Sequence, residues 1–265
     1  MVVVGAGFIS YFATQIGIPF IFAFIIGIIL TGLLGFILER TFLRPMVGEP
    51  VFSVAVLTIG IDILLRVVLD NWIGINPKYM GDPFPSYGNF GSLNIGGLTV
   101  KYLEVTALIT SLILISILSV FFKRSKYGVA MRATSLDQEA ALAQGINVGR
   151  VFGLVWFIAG LLAAFAGFFI TGGFNTLTNT SFISALRALP AVVIGGLDSI
   201  TGAIIGSLII GLTQAYVGYY QFDIESAYNI KLGNGFSIVA PYLIMFVILL
   251  VKPHGLFGTE EVERV

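Results

Sequence analysis

Two charged residues lie within an otherwise apolar stretch of the sequence, Val51–Leu69. Asp62 and Arg66 are four residues apart, so in a helix they share one face. Charged side chains inside a membrane-spanning helix are costly, and they face the interior of a helix bundle or a water-filled cavity. Two interpretations follow: a structural ion pair that fixes helix packing, or a polar lining that binds a zwitterion the size of an amino acid.

A further charge, Arg187, lies just before Pro190 in another apolar stretch. Its long side chain can extend to the outer interface of the membrane, or it can line the same pathway as Asp62 and Arg66. Asp198 follows two glycines and is interpreted as a solvated turn residue.

A polar segment, residues 123–150, separates the apolar stretches and is termed the basic loop. Within it, Ser135 and Gln138 match the Ser-x-x-Gln capping box that begins a helix. The alanines of 140–143 favour helix, and Gly145 can end it in the left-handed conformation. A helix of about nine residues is marginal alone in water, so we expect it to dock against a partner; the alternative is a surface helix lying along the membrane. The cations of the loop are Lys123, Arg124, Lys126, Arg132 and Arg150.

Motifs of hydrolytic enzymes are missing from the sequence. It has no Gly-x4-Gly-Lys-Ser/Thr phosphate loop, no Gly-x-Ser-x-Gly elbow and no His-Glu-x2-His pair. It has no cysteine, and its one histidine, His254, is interpreted as an interfacial residue. Basic and acidic residues are equal in number, which argues against nucleic-acid binding. We therefore expect no enzymatic activity, no metal, no cofactor and no nucleic-acid partner.

The composition is that of an integral membrane protein. Hydrophobic residues make up 57% of the chain and charged residues 11%, against about 25% charged residues in soluble domains. The mean hydropathy is +0.99. Since a spanning helix needs about 20 apolar residues, the sequence predicts an all-α bundle. The predicted helices are Ile18–Leu38, Val51–Leu69, Tyr102–Phe122, Val151–Thr171, Ser184–Gly195, Ile200–Val217 and Ser237–Val251.

The first apolar stretch, Met1–Thr14, is too short to cross a bilayer core of about 30 Å. We therefore expect a further apolar segment upstream of it in the native gene. The predicted fold class is a polytopic integral membrane helical bundle with about seven or eight transmembrane segments, the first of them truncated. A single transmembrane domain is predicted over 1–265.

Lysine and arginine residues are concentrated in 39–50, in the basic loop and in the C-terminal tail. The positive-inside rule places these three segments in the cytoplasm. This orientation requires 182–219 to cross the membrane twice, with a turn at Gly195–Ser199.

Several short motifs occur in a characteristic order along the chain. Glu139–Gly145 has the pattern Glu-Ala-Ala-x3-Gly, and Ala191–Ala203 contains a Gly-Gly turn followed by an apolar helix. Leu38–Pro45, Thr58–Gly60 and the ending Pro253–Gly258 complete the series. Together they resemble the permeases of branched-chain amino-acid ABC importers, the LivH/LivM type. The Ile-x-Leu-Pro that often follows the glycine in other importer families is absent.

The resemblance implies a permease subunit for branched-chain amino acids in the lipid bilayer of a bacterial or archaeal cytoplasmic membrane. It implies as partners a second permease subunit, two cytoplasmic ATP-binding subunits and an extracytoplasmic substrate-binding protein. The residues expected to couple ATP hydrolysis to translocation are Arg132, Asp137, Glu139, Ala140, Ala141 and Gly145.

Two other classes of protein stay open. A secondary transporter or channel would work without an ATPase and would need an ion-coupling site, for which Asp62 and Arg66 are the available residues. A non-transporting membrane scaffold would tolerate joint replacement of these two charges by apolar residues.

Overall fold

The structure, a computed structural model, describes residues 1–73, 78–79, 92–95, 98–172, 176–177, 186, 188–229, 231, 233 and 235–258. The chain divides into two compact units, unit 1 (Met1–Phe182) and unit 2 (Ile183–Val265). The single permease domain over 1–265 stays a prediction.

Unit 1 consists mainly of helices with a few short strands. Its helices are α1 (Val2–Ser10), α2 (Phe20–Leu38), α3 (Val51–Ile73), α4 (Tyr102–Arg124), α5 (Lys126–Leu136), α6 (Gln138–Ala143) and α7 (Val148–Gly172). Its strands are β1 (Lys78–Tyr79), β2 (Ser92–Ile95), β3 (Leu98–Lys101) and β4 (Thr176–Leu177). The strands form two antiparallel pairs, β1 with β4 and β2 with β3, and leave the all-α membrane class unchanged.

The core of unit 1 is the mutual packing of α1, α2 and α7. Small residues allow this contact: a side chain at Gly5 would overlap Ala164, and one at Gly160 would overlap the backbone of Thr31. Between helices in lipid there is little hydrophobic driving force, so close van der Waals contact supplies much of the stability. The glycines therefore determine how near the three helices lie.

A buried apolar cluster joins this core to the two neighbouring helices. Leu69 of α3 and Leu103 of α4 are both buried in it, together with Phe168 of α7. The ring of Phe168 lies 5.2 Å from that of Phe20 and 5.1 Å from that of Phe24, in tilted and edge-to-face geometry. Elsewhere α4 is open: of its residues, all of which the structure describes, only Leu103 is buried.

Unit 2 contains α8 (Ala188–Gly195), α9 (Ile200–Tyr228) and α10 (Phe236–Val251). α8 and α9 form an antiparallel hairpin in which Gly195 lies against Gly202, and Gly206 against the carbonyl of Ala191. Gly202 and Gly206, four residues apart on α9, are therefore a helix-packing pair.

The C-terminal tail returns to the end of α8. The backbone N–H of Leu256 donates to the carbonyl of Ile194 (2.7 Å), and that of Phe257 to the carbonyl of Gly195 (3.0 Å). The Gly195–Ser199 turn and the tail therefore lie at the same end of unit 2, as the predicted orientation requires.

In the described residues five helices are long and apolar enough to cross a membrane. Four of them agree closely with the predicted spans, whereas the count of seven or eight is not confirmed. The described part of α8 has eight residues, which reach about 12 Å, so α8 is not one of these five helices.

The predicted end of the fifth long helix is wrong. α9 continues from Val217 to Tyr228, because a helix needs no apolar residues once it leaves the membrane. Loss of hydropathy marks where the bilayer ends and not where the helix ends. Asn229, in the left-handed conformation with φ 50°, caps α9.

The contact between α8 and α9 can be tested with two glycines of one helix. Gly206→Ala would place a methyl group on the carbonyl of Ala191, and we expect it to destabilise the chain by about 1–3 kcal/mol. Gly211→Ala is the matched control, since the space around Gly211 is open and alanine favours helix by up to about 1 kcal/mol. Unfolding in mixed micelles titrated with SDS measures both; equal stability of the two variants would contradict the close contact.

Candidate functional site

The basic loop folds back on the end of α4. Ser125 caps α5, its Oγ accepting from the backbone N–H of Gly128 (2.9 Å), and Gly128 lies against the carbonyls of Phe121 and Phe122. Arg132, predicted as a coupling residue, donates through Nη1 to the carbonyl of Phe122. The structure therefore gives Arg132 a role in holding α5 against α4.

α6 is capped at its start by Asp137 and not by Ser135. The Oδ1 of Asp137 accepts from the backbone N–H groups of Glu139 (2.9 Å) and Ala140 (3.0 Å). The predicted Ser135 capping box is wrong, because Ser135 belongs to α5 and its hydroxyl donates to the carbonyl of Arg132 (2.9 Å). The extended backbone of Asp137 (φ −158°) separates two helices where one of about nine residues was predicted. A carboxylate in this position also suits the positive end of the helix dipole.

Gly145 ends α6 in the left-handed conformation with φ 81°, as predicted. Its backbone N–H donates to the carbonyl of Leu142 (2.9 Å), and that of Ile146 donates to the carbonyl of Ala141 (3.0 Å). This pair of bonds is a Schellman motif, which satisfies the last carbonyls of the helix. No heavy atom would lie within 4 Å of a Cβ at Gly145, so its backbone conformation, and not crowding, requires glycine.

α6 presents a mixed surface. Glu139 and Ala140 are exposed, whereas Ala141 is 4% exposed, so the small side chain of Ala141 serves packing within the chain. Two large apolar residues beside these were not among the predicted coupling residues: Leu136, the last residue of α5, is 87% exposed, and Leu142 of α6 is 57% exposed. Both leucines lie in the mainly polar basic loop.

A buried carboxylate supports the loop from the neighbouring helix. Glu39, 2% exposed, lies in a π-helical turn after α2. Arg44 binds it with two parallel hydrogen bonds, Nε to Oε1 (3.2 Å) and Nη2 to Oε2 (3.1 Å). The same Nη2 donates to the carbonyl of Gly149 (2.6 Å) in the first turn of α7.

The sequence offered one signal for this network: an acidic residue directly after an apolar stretch, with an arginine five residues later. The π-helical turn that brings the two side chains together was not predictable from spacing alone. Because Arg44 reaches Gly149, the structure places the loop after α2 and the start of α7 at the same end of unit 1, as the predicted orientation requires.

Asp62 and Arg66 form the expected ion pair on α3. Asp62 also lines a small cavity of about 110 Å³ together with Thr58 and Trp156. This volume is below the roughly 300 Å³ at which drug-sized ligand pockets begin. The pair is established, and both a structural and a pathway role are compatible with these contacts.

The other residues singled out in the sequence do not contribute to the basic loop, the Glu39 network or the Asp62–Arg66 pair among the described residues. Arg187 lies outside the described residues. Asp198 and His254 are exposed, and within the described part of the chain no three His, Asp or Glu side chains are grouped to hold a metal.

Comparison with known proteins gives a consistent result. A family model described as "Branched-chain amino acid transport system / permease component" matches residues 1–251. The permease protein BraD of Pseudomonas aeruginosa is 27% identical, with 92% of this chain and 76% of BraD covered. LivH of Salmonella typhimurium is 30% identical (91% and 75% covered), and a probable LivH of Methanocaldococcus jannaschii is 27% identical (89% and 73%). All three are named as branched-chain amino acid transport permeases. No solved structure matches the chain significantly.

These matches and the five long apolar helices place the chain in the cytoplasmic membrane of a bacterium or archaeon. The fold class expected from the sequence, a polytopic helical membrane protein, is confirmed.

The Glu39 network generates a stability prediction. Glu39→Gln removes the buried charge and leaves Arg44 with a weaker acceptor, and we expect a loss of about 1–3 kcal/mol. This is below the full cost of breaking a buried pair, since Arg44 is 38% exposed. The exposed neighbour Arg40 is the control, because surface substitutions change stability by only about 0.5 kcal/mol. Thermal unfolding in detergent compares Glu39→Gln with Arg40→Gln; equal melting temperatures would mean that the network does not stabilise the unit.

Proposed function

The chain belongs to the family of branched-chain amino acid transport system permease components, and on this premise we propose that it is the permease subunit of an ABC importer powered by separate chains. The sequence has no phosphate-binding loop of its own. Energy for transport would therefore have to arrive through contact with ATP-binding subunits.

The exposed apolar residues of the basic loop carry this proposal. Leu136 and Leu142 flank the carboxylate of Glu139 and are open to water. A partner that covers both leucines would remove their apolar surface from water, which contacts within unit 1 do not do. The proposed occupant of this surface is the ATP-binding subunit, and α6 is the proposed coupling helix.

The contacts within unit 1 supply a route from α6 to the membrane helices. α6 ends at Gly145, and Asn147 caps α7 by accepting from the backbone N–H of Arg150 (3.0 Å). Two residues later, the carbonyl of Gly149 accepts from Arg44, which holds the end of α2 through Glu39. A displacement of α6 by ATP-driven closure would thus act on α7 directly and on α2 through one guanidinium.

The proposed substrate is a branched-chain amino acid, the class named for the relatives. At neutral pH such a molecule carries one carboxylate and one ammonium group. Arg66 and Asp62 offer the two complementary charges on one helix face, and we assign them to the pathway. Arg187 stays a candidate for the same pathway. A second permease subunit and an extracytoplasmic substrate-binding protein complete the proposed importer.

Substitution at Leu142 tests the coupling surface. Leu142→Arg leaves the caps of α6 intact but puts a charge into the proposed contact, and we expect loss of co-purification with the ATP-binding subunit. Leu197→Arg is the control, since Leu197 is 81% exposed in the turn of unit 2 and has no part in the proposed surface. Substrate-stimulated ATP hydrolysis in reconstituted membranes is the second readout. Unchanged association and hydrolysis in Leu142→Arg would favour a transporter that works without an ATPase.

Exchange of the two charges of α3 tests the pathway assignment. The double variant Asp62→Arg with Arg66→Asp preserves an i,i+4 ion pair, so folding should change little. Its charges are reversed along the helix, so uptake should fall at least tenfold, a loss of about 1.4 kcal/mol in substrate interaction. Radiolabelled leucine uptake into proteoliposomes, with expression and melting temperature as folding controls, measures this. Normal uptake would leave the pair a structural role only.

A further inference from the structure

A pocket of about 720 Å³ opens beside the basic loop in unit 1, between the end of α4, α5 and the start of α7. Its walls are of two kinds. Phe121, Val151 and Leu154 form an apolar wall, and Lys126 and Arg150 supply positive charge. A concave site that is mainly apolar with a few charged groups is the usual form of a ligand-binding pocket.

No acidic side chain among the described residues pairs with the positive charge of this pocket. None of its lining residues is acidic, and neither Lys126 nor Arg150 forms an ion pair with any residue that the structure describes. Lys126 lies over the ring of Tyr127, 5.3 Å from its centroid; an ammonium has three N–H donors and can keep this contact while it binds an anion. The ligand that complements the pocket is therefore anionic.

The apolar wall indicates what else the ligand contains. Phe121 lies near the end of the membrane-spanning α4, and Val151 and Leu154 lie in the first turns of α7, another helix long enough to span. The wall is thus formed at the ends of two helices that are apolar enough to cross a membrane, and the two cations lie at the same ends. The volume is also far larger than that of a free phosphate ion, given that one water occupies about 30 Å³.

We propose that the pocket binds an anionic glycerophospholipid. Lys126 and Arg150 bind its phosphate, and the first part of an acyl chain lies along Phe121, Val151 and Leu154. Basic pockets between membrane helices on the cytoplasmic side are suited to such headgroups. Gly145 and Ile146 of the basic loop also line the pocket, so a bound lipid braces the segment that joins α6 to α7. This inference is independent of the transport function proposed above.

Native mass spectrometry of the full chain in detergent tests the proposal, with phosphatidylglycerol and phosphatidylcholine as probes. We expect phosphatidylglycerol to be retained at least tenfold better. Lys126→Ala and Arg150→Ala should each weaken its binding about fivefold, because each cation near the headgroups contributes a comparable increment. Lys123→Ala is the charge control: Lys123 is an exposed cation of the same loop outside the pocket lining.

A second variant separates the pocket from general surface attraction. Ala130→Trp fills the pocket without changing any charge, and we expect it to abolish retention of phosphatidylglycerol. Val129→Trp is the matched control, since Val129 is 51% exposed and does not line the pocket. Melting temperatures show whether both variants fold; if Ala130→Trp does not, the two alanine variants decide.

Four results would overturn the inference. One is equal retention of the two lipids, and another is an effect of Lys123→Ala as large as those of the pocket cations. The third is displacement of phosphatidylglycerol by millimolar inorganic phosphate, which would identify a site for a soluble anion. Loss of ATP-binding subunit association in Ala130→Trp, with lipid retention unchanged, would also reject the lipid and identify a protein groove.

Discussion

The carboxylate of Glu39 is buried at the end of α2, and its charge determines how the basic end of unit 1 is arranged. A buried charge without a partner would cost several kcal/mol or more, so a cation must lie beside it. Arg44 meets this need with a planar guanidinium that has donors left over, and one of its bonds goes to Gly149. Because the guanidinium lies directly against Gly149, a side chain there would push it away. The turn after α2, the start of α7 and the loop ahead of α7 are therefore fixed by one compensated charge.

Away from this charge, both units rely on close backbone contact. In unit 1, Gly160 lies against Thr31, and in unit 2, Gly206 lies against Ala191. Such contacts replace the hydrophobic driving force that helices lose when their surroundings are as apolar as their side chains. Small residues and charged groups thus act in different places. Glycines set the separation of packed helices, and the Glu39–Arg44 pair fixes the end of α2 and the start of α7.

Sequence reasoning located the long helices well, since a run of about 20 apolar residues has few alternatives in a membrane protein. It also located Gly145, because a left-handed helix end favours glycine strongly. It failed at the start of α6: Ser135 was predicted as the cap, whereas Asp137, which is also a favoured capping type, has the extended backbone and the capping hydrogen bonds. It missed Glu39 because a π-helical turn changes which side chains meet, and it missed Leu136 and Leu142 because exposure cannot be read from one sequence.

The two ends of α6 differ in kind from its outer face. Asp137 and Gly145 satisfy the backbone of the helix itself, so any permease built with this short helix must solve the same geometric problem at those positions. The exposed side chains of Glu139, Ala140 and Leu142 are not needed to satisfy the backbone of the helix. The two ends of the helix are therefore constrained by its backbone, whereas its outward residues are not. These outward residues can diverge, or be replaced by those of another permease, without disturbing the fold. Under the function proposed above, Glu139, Ala140 and Leu142 would then determine which ATP-binding subunit the chain binds when several transport systems share one membrane.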